Sequence, residues 1–339
     1  MQIEYAIDAG SENMRMCTRT RPDLYRASSL TAIRAGKDAP FAWGDRALEI
    51  YGREPENVRI SRPVEGGLPV HPTLLALWVK HLMDNADKRG LHRRGLLLAI
   101  SPFTRPDMAS ALEKSLLETE TDEVYLVPGD IVCALGAGLN ALEAKGNLIV
   151  NLGAGQITAS LIAGGRTVRK DCLPFGMSRI DEGILCVARE ALGCAVGPHT
   201  ARELKNELCA AAGVSDGVVS VKPAFDFRSS LPRNVEFSAA LLKPCVDEVV
   251  NPAIEMISRV IRFAPEELCA DLTERGIVLA GGGANLFGLD LKMQSTLELP
   301  VTVAEDPEEC VMRGLYSMMD KPDLCQFLAM NDTEAERRK

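Results

Sequence analysis

The stretch "GIVLAGGGANLFGLD", residues 276–290, runs from an apolar segment into three consecutive glycines and then into a helix-like pattern. Glycine inside regular structure costs conformational entropy, so three in a row need a physical reason. The apolar residues before them predict a buried strand. A strand that ends in glycines where a helix opens is typical of backbone lying flat against a ligand, and a plain tight turn is the alternative.

The same pattern of strand, glycine turn and further regular structure occurs twice more. The stretches are "IEYAIDAGSEN", residues 3–13, and "GNLIVNLGAGQITASLIAGG", residues 146–165. Glycine lets backbone N–H groups approach a phosphate without a Cβ in the way. Three such loops, each after an apolar strand, predict two similar α/β halves around a nucleotide cleft. Neither G-x-x-x-x-G-K-[ST] nor G-x-G-x-x-G occurs, so the P-loop and Rossmann classes lack their motifs.

Composition narrows the class of protein. The 339 residues are 46% hydrophobic and 25% charged, which is ordinary for a folded chain of two domains. A net charge of −9 argues against nucleic-acid binding by bulk electrostatics. The ten cysteines form no C-x-x-C pair, which favours reduced thiols in a cytosolic protein over zinc ligands or a disulfide framework.

The chain ends and the apolar runs carry no membrane signal. The first residues, "MQIEYAIDAG", predict a strand and not a secretory signal. No apolar run approaches the roughly 20 residues that a spanning helix needs. We therefore expect a cytoplasmic protein with a polar tail at residues 331–339.

Several helices are predicted between the glycine loops. Residues 105–120 have Leu112, Leu116 and Leu117 on one predicted face, and "IVCALGAGLNAL", residues 131–142, predicts an apolar helix. Thr200 with Glu203 has the spacing of a capping box. Residues 241–264 predict one long helix with a possible bend at Pro252.

The order of "IDAGSEN", "VNLGAGQITASLI" and "VLAGGGANLFGLD" resembles the two phosphate motifs and the adenosine motif of the actin superfamily. The closer resemblance is to the MreB family of bacterial cell-shape proteins, with support from "ALGAGLNAL" and "LPVTVAEDPEECVMRG" in the family's order. It implies an α/β, actin-like ATPase fold: two similar α/β domains around a nucleotide cleft, each with a smaller subdomain. The implied domains are 1–138, with 310–330 packing back on it, and 139–309.

The resemblance implies ATP and Mg²⁺ as ligands, with Asp8 near the metal. Four segments would surround the nucleotide: the first phosphate loop, the second phosphate loop, the adenine-side helix and the adenosine motif. Their residues are Gly10, Ser11, Glu12 and Asn13; Gly153, Ala154, Gly155 and Gln156; Arg202, Glu203, Leu204 and Lys205; and Gly281, Gly282, Gly283, Ala284 and Asn285. For Lys205 and its neighbour Glu207, surface charges of an amphipathic helix are an equal alternative.

The sequence departs from the family pattern at positions that matter for hydrolysis. The second loop of the family reads D-x-G-G-G-T, and here Asn151 and Gln156 stand at its ends. Pro128 and Gly129 occupy the positions of two glutamates, one of which positions the attacking water in the family. Asp130, one residue on, is the remaining candidate for a catalytic base that replaces this glutamate, and a solvated loop acid is the alternative. We expect slow or absent ATP hydrolysis.

The first loop also departs from the family's G-T-A-N-T. Glu12 places a carboxylate where a polyphosphate is expected, which is repulsive unless a cation intervenes. The glutamate could equally turn outward, and the sequence leaves both orientations open.

Two functional hypotheses follow from the resemblance. The first is a filament protein that determines cell shape, assembling with itself or another MreB and touching cell-wall elongation proteins. The second is a non-hydrolysing regulatory or scaffold paralogue. A sugar kinase or chaperone ATPase is disfavoured because no sugar-binding insertion or peptide-binding domain is evident. Residues 87–95, "DKRGLHRRG", are the candidate contact with the inner face of the membrane, and a solvated charged loop is the alternative.

Overall fold

A computed structural model describes residues 3–37, 39–87, 95–212 and 219–330. Its contacts divide the chain into two compact units. Unit 1 consists of Met1–Ala144, Ile162–Thr167 and Glu308–Lys339, and unit 2 of Lys145–Leu161 and Val168–Pro307. The domain bounds implied by the resemblance, 138/139 and 309/310, stay a proposal beside this division.

Strands and helices alternate along both units. The strands, in chain order, are β1 (Tyr5–Ala9), β2 (Asn13–Thr18), β3 (Arg21–Ser28), β4 (Thr31–Arg34), β5 (Ala42–Trp43), β6 (Val58–Ser61), β7 (Gly95–Ile100), β8 (Glu123–Pro128), β9 (Asn147–Leu152), β10 (Ile157–Ala163), β11 (Arg166–Leu173), β12 (Cys194–Ala195), β13 (Val219–Asp226), β14 (Pro232–Ser238), β15 (Ile277–Ala280) and β16 (Val301–Val303). The helices are α1 (Asp45–Leu48), α2 (Pro72–Ala86), α3 (Pro106–Leu117), α4 (Gly129–Gly136), α5 (Ser178–Glu190), α6 (Pro198–Leu208), α7 (Ala239–Arg262), α8 (Glu266–Arg275), α9 (Leu289–Leu297), α10 (Cys310–Met318) and α11 (Pro322–Leu328), with 3-10 turns at Gly282–Asn285 and Pro307–Glu309.

Unit 1 is built on a five-stranded sheet in the order β3-β2-β1-β7-β8. Strands β1, β2 and β3 are antiparallel neighbours, and β7 and β8 run parallel to β1. Every residue of β7, "GLLLAI", is buried. Such a continuous apolar run is what a central parallel strand needs, since helices cover both of its faces.

Unit 2 repeats this arrangement with a sheet in the order β11-β10-β9-β15-β16. Strand β15 runs parallel to both β9 and β16. In each unit, three successive strands are followed across the sheet by two strands from later in the chain. The prediction of two similar α/β halves is therefore confirmed at the level of strand order.

Each unit also has a small three-stranded sheet. Unit 1 has β5-β4-β6 and unit 2 has β12-β13-β14. In the first, β4 pairs antiparallel with both neighbours, and in the second β13 does the same. These sheets correspond to the smaller subdomain that the resemblance implies for each half.

In unit 1, helix α10 packs against α4 with almost no space between the two backbones. A Cβ on Gly136 would overlap the carbonyl oxygen of Cys310, and one on Gly314 would overlap that of Val132. Only glycine allows such an approach. Both helices lie beside the main sheet, so this contact ties the returning C-terminal segment to the core of unit 1.

Two helix predictions need correction at the level of single residues. In α3, Leu112 and Leu116 are fully buried but Leu117 is 47% exposed, because residues four apart share a helix face and the next residue points about 100° away. Helix α4 ends at Gly136, so the predicted apolar helix over 131–142 is too long. The segment after it consists of turns.

The predicted N-cap at Thr200 is wrong. Helix α6 begins at Pro198, and its N-cap is Gly197 without a side-chain hydrogen bond. Proline is favoured at the first helical position because its φ is already helical and its missing N–H is not needed there. Helix α7 is continuous through both Pro244 and Pro252. Within the described ranges, no helix is long and apolar enough to cross a membrane.

Candidate functional site

The first two glycine loops form the same four-residue turn. The Gly10 N–H donates to the carbonyl of Asn13 at 3.0 Å, and the Gly153 N–H donates to the carbonyl of Gln156 at 3.1 Å. A Cβ on either glycine would lie 2.8 Å from that carbonyl oxygen, closer than side chains tolerate. Each turn joins the first two strands of its sheet, so the two units present the same backbone geometry at equivalent places.

Residues at the start of α5 hold the second turn in place through hydrogen bonds to its carbonyl groups. The Met177 N–H donates to the carbonyl of Gly153 at 2.9 Å, and the Ser178 hydroxyl donates to the carbonyl of Ala154 at 2.7 Å. A Cβ on Gly176 would overlap both of these carbonyls. The carbonyl side of the turn is therefore fixed by protein contacts, while Gln156 is almost fully buried.

The glycine triple lies against the same turn within unit 2. Gly281 has φ +81°, and a Cβ there would overlap the side chain of Asn151 and the carbonyl of Leu152. A Cβ on Gly283 would overlap Leu152 as well. The Gly281 N–H donates to the carbonyl of Pro307 at 2.7 Å. Glycine is thus required because two chain segments approach closely, and this brings the second loop and the triple together within unit 2.

The sequence predicts a helix directly after the triple, and this prediction is wrong. Gly282–Asn285 forms one 3-10 turn, and α9 begins only at Leu289. Gly282 and Asn285 are exposed, whereas Ala284 is buried. The turn is too short to have the summed dipole of a long helix, so any ligand here would meet single backbone groups.

The predicted adenine-side residues sit on α6 in different environments. Leu204 is fully buried in the core of unit 2, so its side chain faces the interior and not a ligand. Lys205 lies 2.9 Å from Asp181 in the first turn of α5, and Glu203 lies 3.3 Å from Lys222. Arg202 is exposed. The ammonium group of Lys205 is tied to α5 by this ion pair.

In unit 1, the first loop is fixed by contacts to its serine and glutamate. The Ser11 hydroxyl accepts from the Gly67 N–H at 2.9 Å, and the Ser11 carbonyl accepts from the Ser29 hydroxyl at 2.6 Å. The Glu12 carboxylate lies 3.3 Å from the guanidinium of Arg62. This ion pair decides the orientation that the sequence leaves open: Glu12 turns to a protein cation, which offsets its charge.

Asp8, near the end of β1, faces Arg15, an arginine outside the family motifs. Arg15 stands opposite Asp8 in the β1–β2 pairing, and its Nη1 lies 3.4 Å from Asp8 Oδ2. Burial raises the pKa of Asp8 above its usual value, and the charge of Arg15 opposes that rise. The sequence contains a signal for this pair: Arg15 is a charged residue between two methionines, and a short turn places it opposite Asp8.

The interpretation of Asp130 as a solvated loop acid is wrong. Its side chain is 2% exposed in the first turn of α4. Oδ2 accepts from the Thr167 hydroxyl at 2.8 Å, and Oδ1 accepts from the Ile131 N–H at 2.9 Å. A carboxylate near a helix N-terminus is also favoured by the helix dipole. With hydrogen bonds to both oxygens, Asp130 has the geometry of a structural group, and its predicted catalytic role is left without support.

Replacing Asp130 by alanine should therefore lower stability and leave ligand binding intact. We expect a loss of about 2–3 kcal/mol in the free energy of unfolding, since the buried Ile131 N–H and the part-buried Thr167 hydroxyl both lose their acceptor. Thr167→Val, which replaces the hydroxyl with a methyl group and leaves the Ile131 hydrogen bond in place, is the matched variant and should cost less. Urea unfolding of both variants checks this; an Asp130→Ala protein as stable as wild type would contradict the structural role.

Comparison with known proteins adds three findings. The family model described as MreB/Mbl protein matches residues 2–326. The cell shape-determining protein MreB of Escherichia coli (strain K12) is 28% identical over 330 residues, covering 95% of this chain and 94% of that protein. A crystal structure of MreB5 of Spiroplasma citri bound to ADP superposes with a TM-score of 0.88 at 21% identity, covering 95% and 97% of the two chains.

A filament structure is similar as well. The MamK double helical filament superposes with a TM-score of 0.78 at 17% identity, covering 94% of this chain and 98% of that one. At these identities the structural likenesses show the fold alone. They confirm the α/β, actin-like architecture that the resemblance implies.

Proposed function

The chain belongs to the MreB/Mbl family, and from that premise we propose that it is an actin-like cytoskeletal protein that binds an adenine nucleotide and assembles into filaments. The observation that carries the nucleotide proposal is the repeated turn at Gly10 and Gly153, in two sheets of the same strand order. Each turn excludes a Cβ and is fixed by contacts behind it. Bare backbone of this kind is what phosphate recognition uses.

The glycine triple supports adenine nucleotide over free phosphate. It lies beside the second turn in the same unit, and Gly281 and Gly283 have no room for side chains there. The family motif at these positions wraps the nucleoside, and the related MreB5 of Spiroplasma citri was crystallised with ADP. ATP is the proposed ligand, bound by the backbone of residues 10–13, 153–156 and 281–285.

Weak hydrolysis is the second part of the proposal. Gly129, at a position where the family has a glutamate, has no side chain and begins α4. Asn151 is neutral where the family has an acid, and Gln156 is buried where the family has a small hydroxyl. Asp130, the remaining acid, is committed to Thr167 and Ile131. Binding would then rest on the backbone, and the groups that orient water would be missing.

Filament formation is proposed from the family and from the likeness to the MamK filament. Electron microscopy of purified protein with ATP, with ADP and without nucleotide tests it, alongside calorimetric titration of each nucleotide. We expect saturable ATP binding and head-to-tail filaments, alone or mixed with an ordinary MreB. A well-folded protein that binds neither ATP nor ADP would contradict the proposed nucleotide binding. A well-folded protein that forms no filaments, alone or with an ordinary MreB, would contradict the proposed assembly.

A regulatory or scaffold role is the second candidate, favoured by the altered positions Gly129, Asn151 and Gln156. This role would be supported if the protein binds nucleotide and an ordinary MreB but neither hydrolyses the nucleotide nor assembles with itself. A location in the cytoplasm at the inner membrane face, and contacts with cell-wall elongation proteins, are proposed on family membership. The candidate lipid-binding loop 87–95 lies outside the described residues, apart from its first and last positions.

A further inference from the structure

We infer that Arg15 is a built-in counter-ion for Asp8, so that the nucleotide site works largely without Mg²⁺. The inference rests on the proposed function, because it concerns how the same site tolerates a phosphate chain. The resemblance places Asp8 beside a hydrated Mg²⁺, but the surroundings of Asp8 fit a protein cation and not a metal ion.

The position of Arg15 is fixed on three sides. Its guanidinium contacts Asp8 at 3.4 Å, Glu308 at 3.2 Å and Glu309 at 3.2 Å. Its side chain is only 12% exposed. Planar guanidinium groups are well suited to several carboxylates at once and never lose their charge. Arg15 therefore holds a permanent positive charge next to the carboxylate that the family uses toward the metal.

The donors for Mg²⁺ are correspondingly poor. Mg²⁺ keeps most of its waters and is held through one or two carboxylates together with substrate phosphates. Asp8 already faces Arg15, and a second cation beside it would be repelled. Asn151, which stands two residues before Gly153 as Asp8 stands two before Gly10, has no charge. Within the part of the chain that the structure describes, no cluster of three or more acidic, His or Cys side chains could hold a metal.

A matched control is available in the same cluster. Arg26 also pairs with Glu308, at 2.8 Å, and with Glu309, at 3.7 Å, but it lies on β3 and makes no ion pair with Asp8 within the described ranges. Its side chain is 52% exposed. Arg15→Met and Arg26→Met remove the same charge from the same acidic pair, and they differ in whether Asp8 loses its partner.

The experiment measures the Kd of ATP and of ADP with Mg²⁺ and with EDTA for wild type and both variants. For wild type and Arg26→Met we expect the Kd with Mg²⁺ and the Kd with EDTA to differ by less than about threefold. For Arg15→Met we expect binding at least about tenfold tighter with Mg²⁺, since Asp8 becomes free to hold the hydrated cation. Thermal unfolding of each variant establishes that it is folded.

Two results would overturn the inference. The first is wild-type protein that needs Mg²⁺ to bind ATP tightly, and the second is folded Arg15→Met whose Kd for ATP is the same with Mg²⁺ and with EDTA. If Arg15→Met does not fold, Asp8→Asn decides the question. We expect its affinity for ATP in EDTA to equal or exceed that of wild type, because one of the three carboxylates around Arg15 has lost its charge. If Mg²⁺ strengthens binding to wild type and Asp8→Asn abolishes that gain, the inference is contradicted. Failure of either nucleotide to bind folded protein under any condition is a different result, which removes the proposed function itself.

Discussion

Replacing Gly314 by valine should leave the protein unable to fold. Helices α4 and α10 approach so closely that a Cβ on Gly314 would overlap the carbonyl oxygen of Val132, and the reciprocal position, Gly136, faces the carbonyl of Cys310. The overlap is with backbone on both sides, so no rotamer change relieves it. The helices would have to separate, although residues on both of them, such as Val132 and Leu315, are fully buried.

We expect the cost to exceed about 4 kcal/mol, since overpacking that shifts backbone is among the few mechanisms that reach this range. That is a large part of the total of about 5–15 kcal/mol that stabilises a typical domain. Soluble yield and urea unfolding measure the effect. Gly197→Ala is the control, because a Cβ there meets nothing within 4 Å and its φ of −80° suits any residue. A Gly314→Val protein as stable as the control would contradict the packing.

Purified protein should release inorganic phosphate from ATP at least about 100-fold more slowly than the MreB of Escherichia coli in the same assay. A side chain that positions or deprotonates the attacking water contributes about 10²–10⁴-fold, and the position expected to do so is Gly129. The rate must be compared at saturating ATP, with binding measured separately, so that weak binding is not mistaken for slow chemistry.

Gly129→Glu tests the cause of the low rate. Gly129 has no strained φ, and an added Cβ would lie 3.1 Å from the carbonyl of Ile100, a contact that a small shift relieves. If the missing side chain limits hydrolysis, the variant should gain about tenfold or more. Wild-type turnover at the rate of the Escherichia coli protein would contradict weak hydrolysis, and an unchanged Gly129→Glu rate would place the deficit at Asn151 or Gln156.

The fold could be predicted from sequence because its signals are local. A strand followed by glycine and a second strand specifies a turn whose backbone cannot accept a Cβ, and the turns at Gly10 and Gly153 have that geometry. The approach of the glycine triple to the second turn follows from the order of the motifs in the family. These features depend on short stretches, which one sequence displays directly.

The environments of charged side chains could not be predicted in the same way. Asp130 is buried because a threonine 37 positions later completes its hydrogen bonds, and Arg15 is fixed by glutamates nearly 300 residues away. Tertiary contacts of this length leave no periodicity in the sequence. The Asp8–Arg15 pair is the exception, since their strand register follows from a short turn, and it could have been found from the pattern alone.

The doubled glycine turn has a consequence for how such a protein can change over time. The groups that each turn would offer to the proposed phosphate belong to the main chain, and the main chain is the part of the molecule that substitution alters least. The groups that activate water belong to side chains, which a single codon can remove. A gene copy released from selection for turnover would therefore lose catalysis well before it lost the ability to bind the ligand.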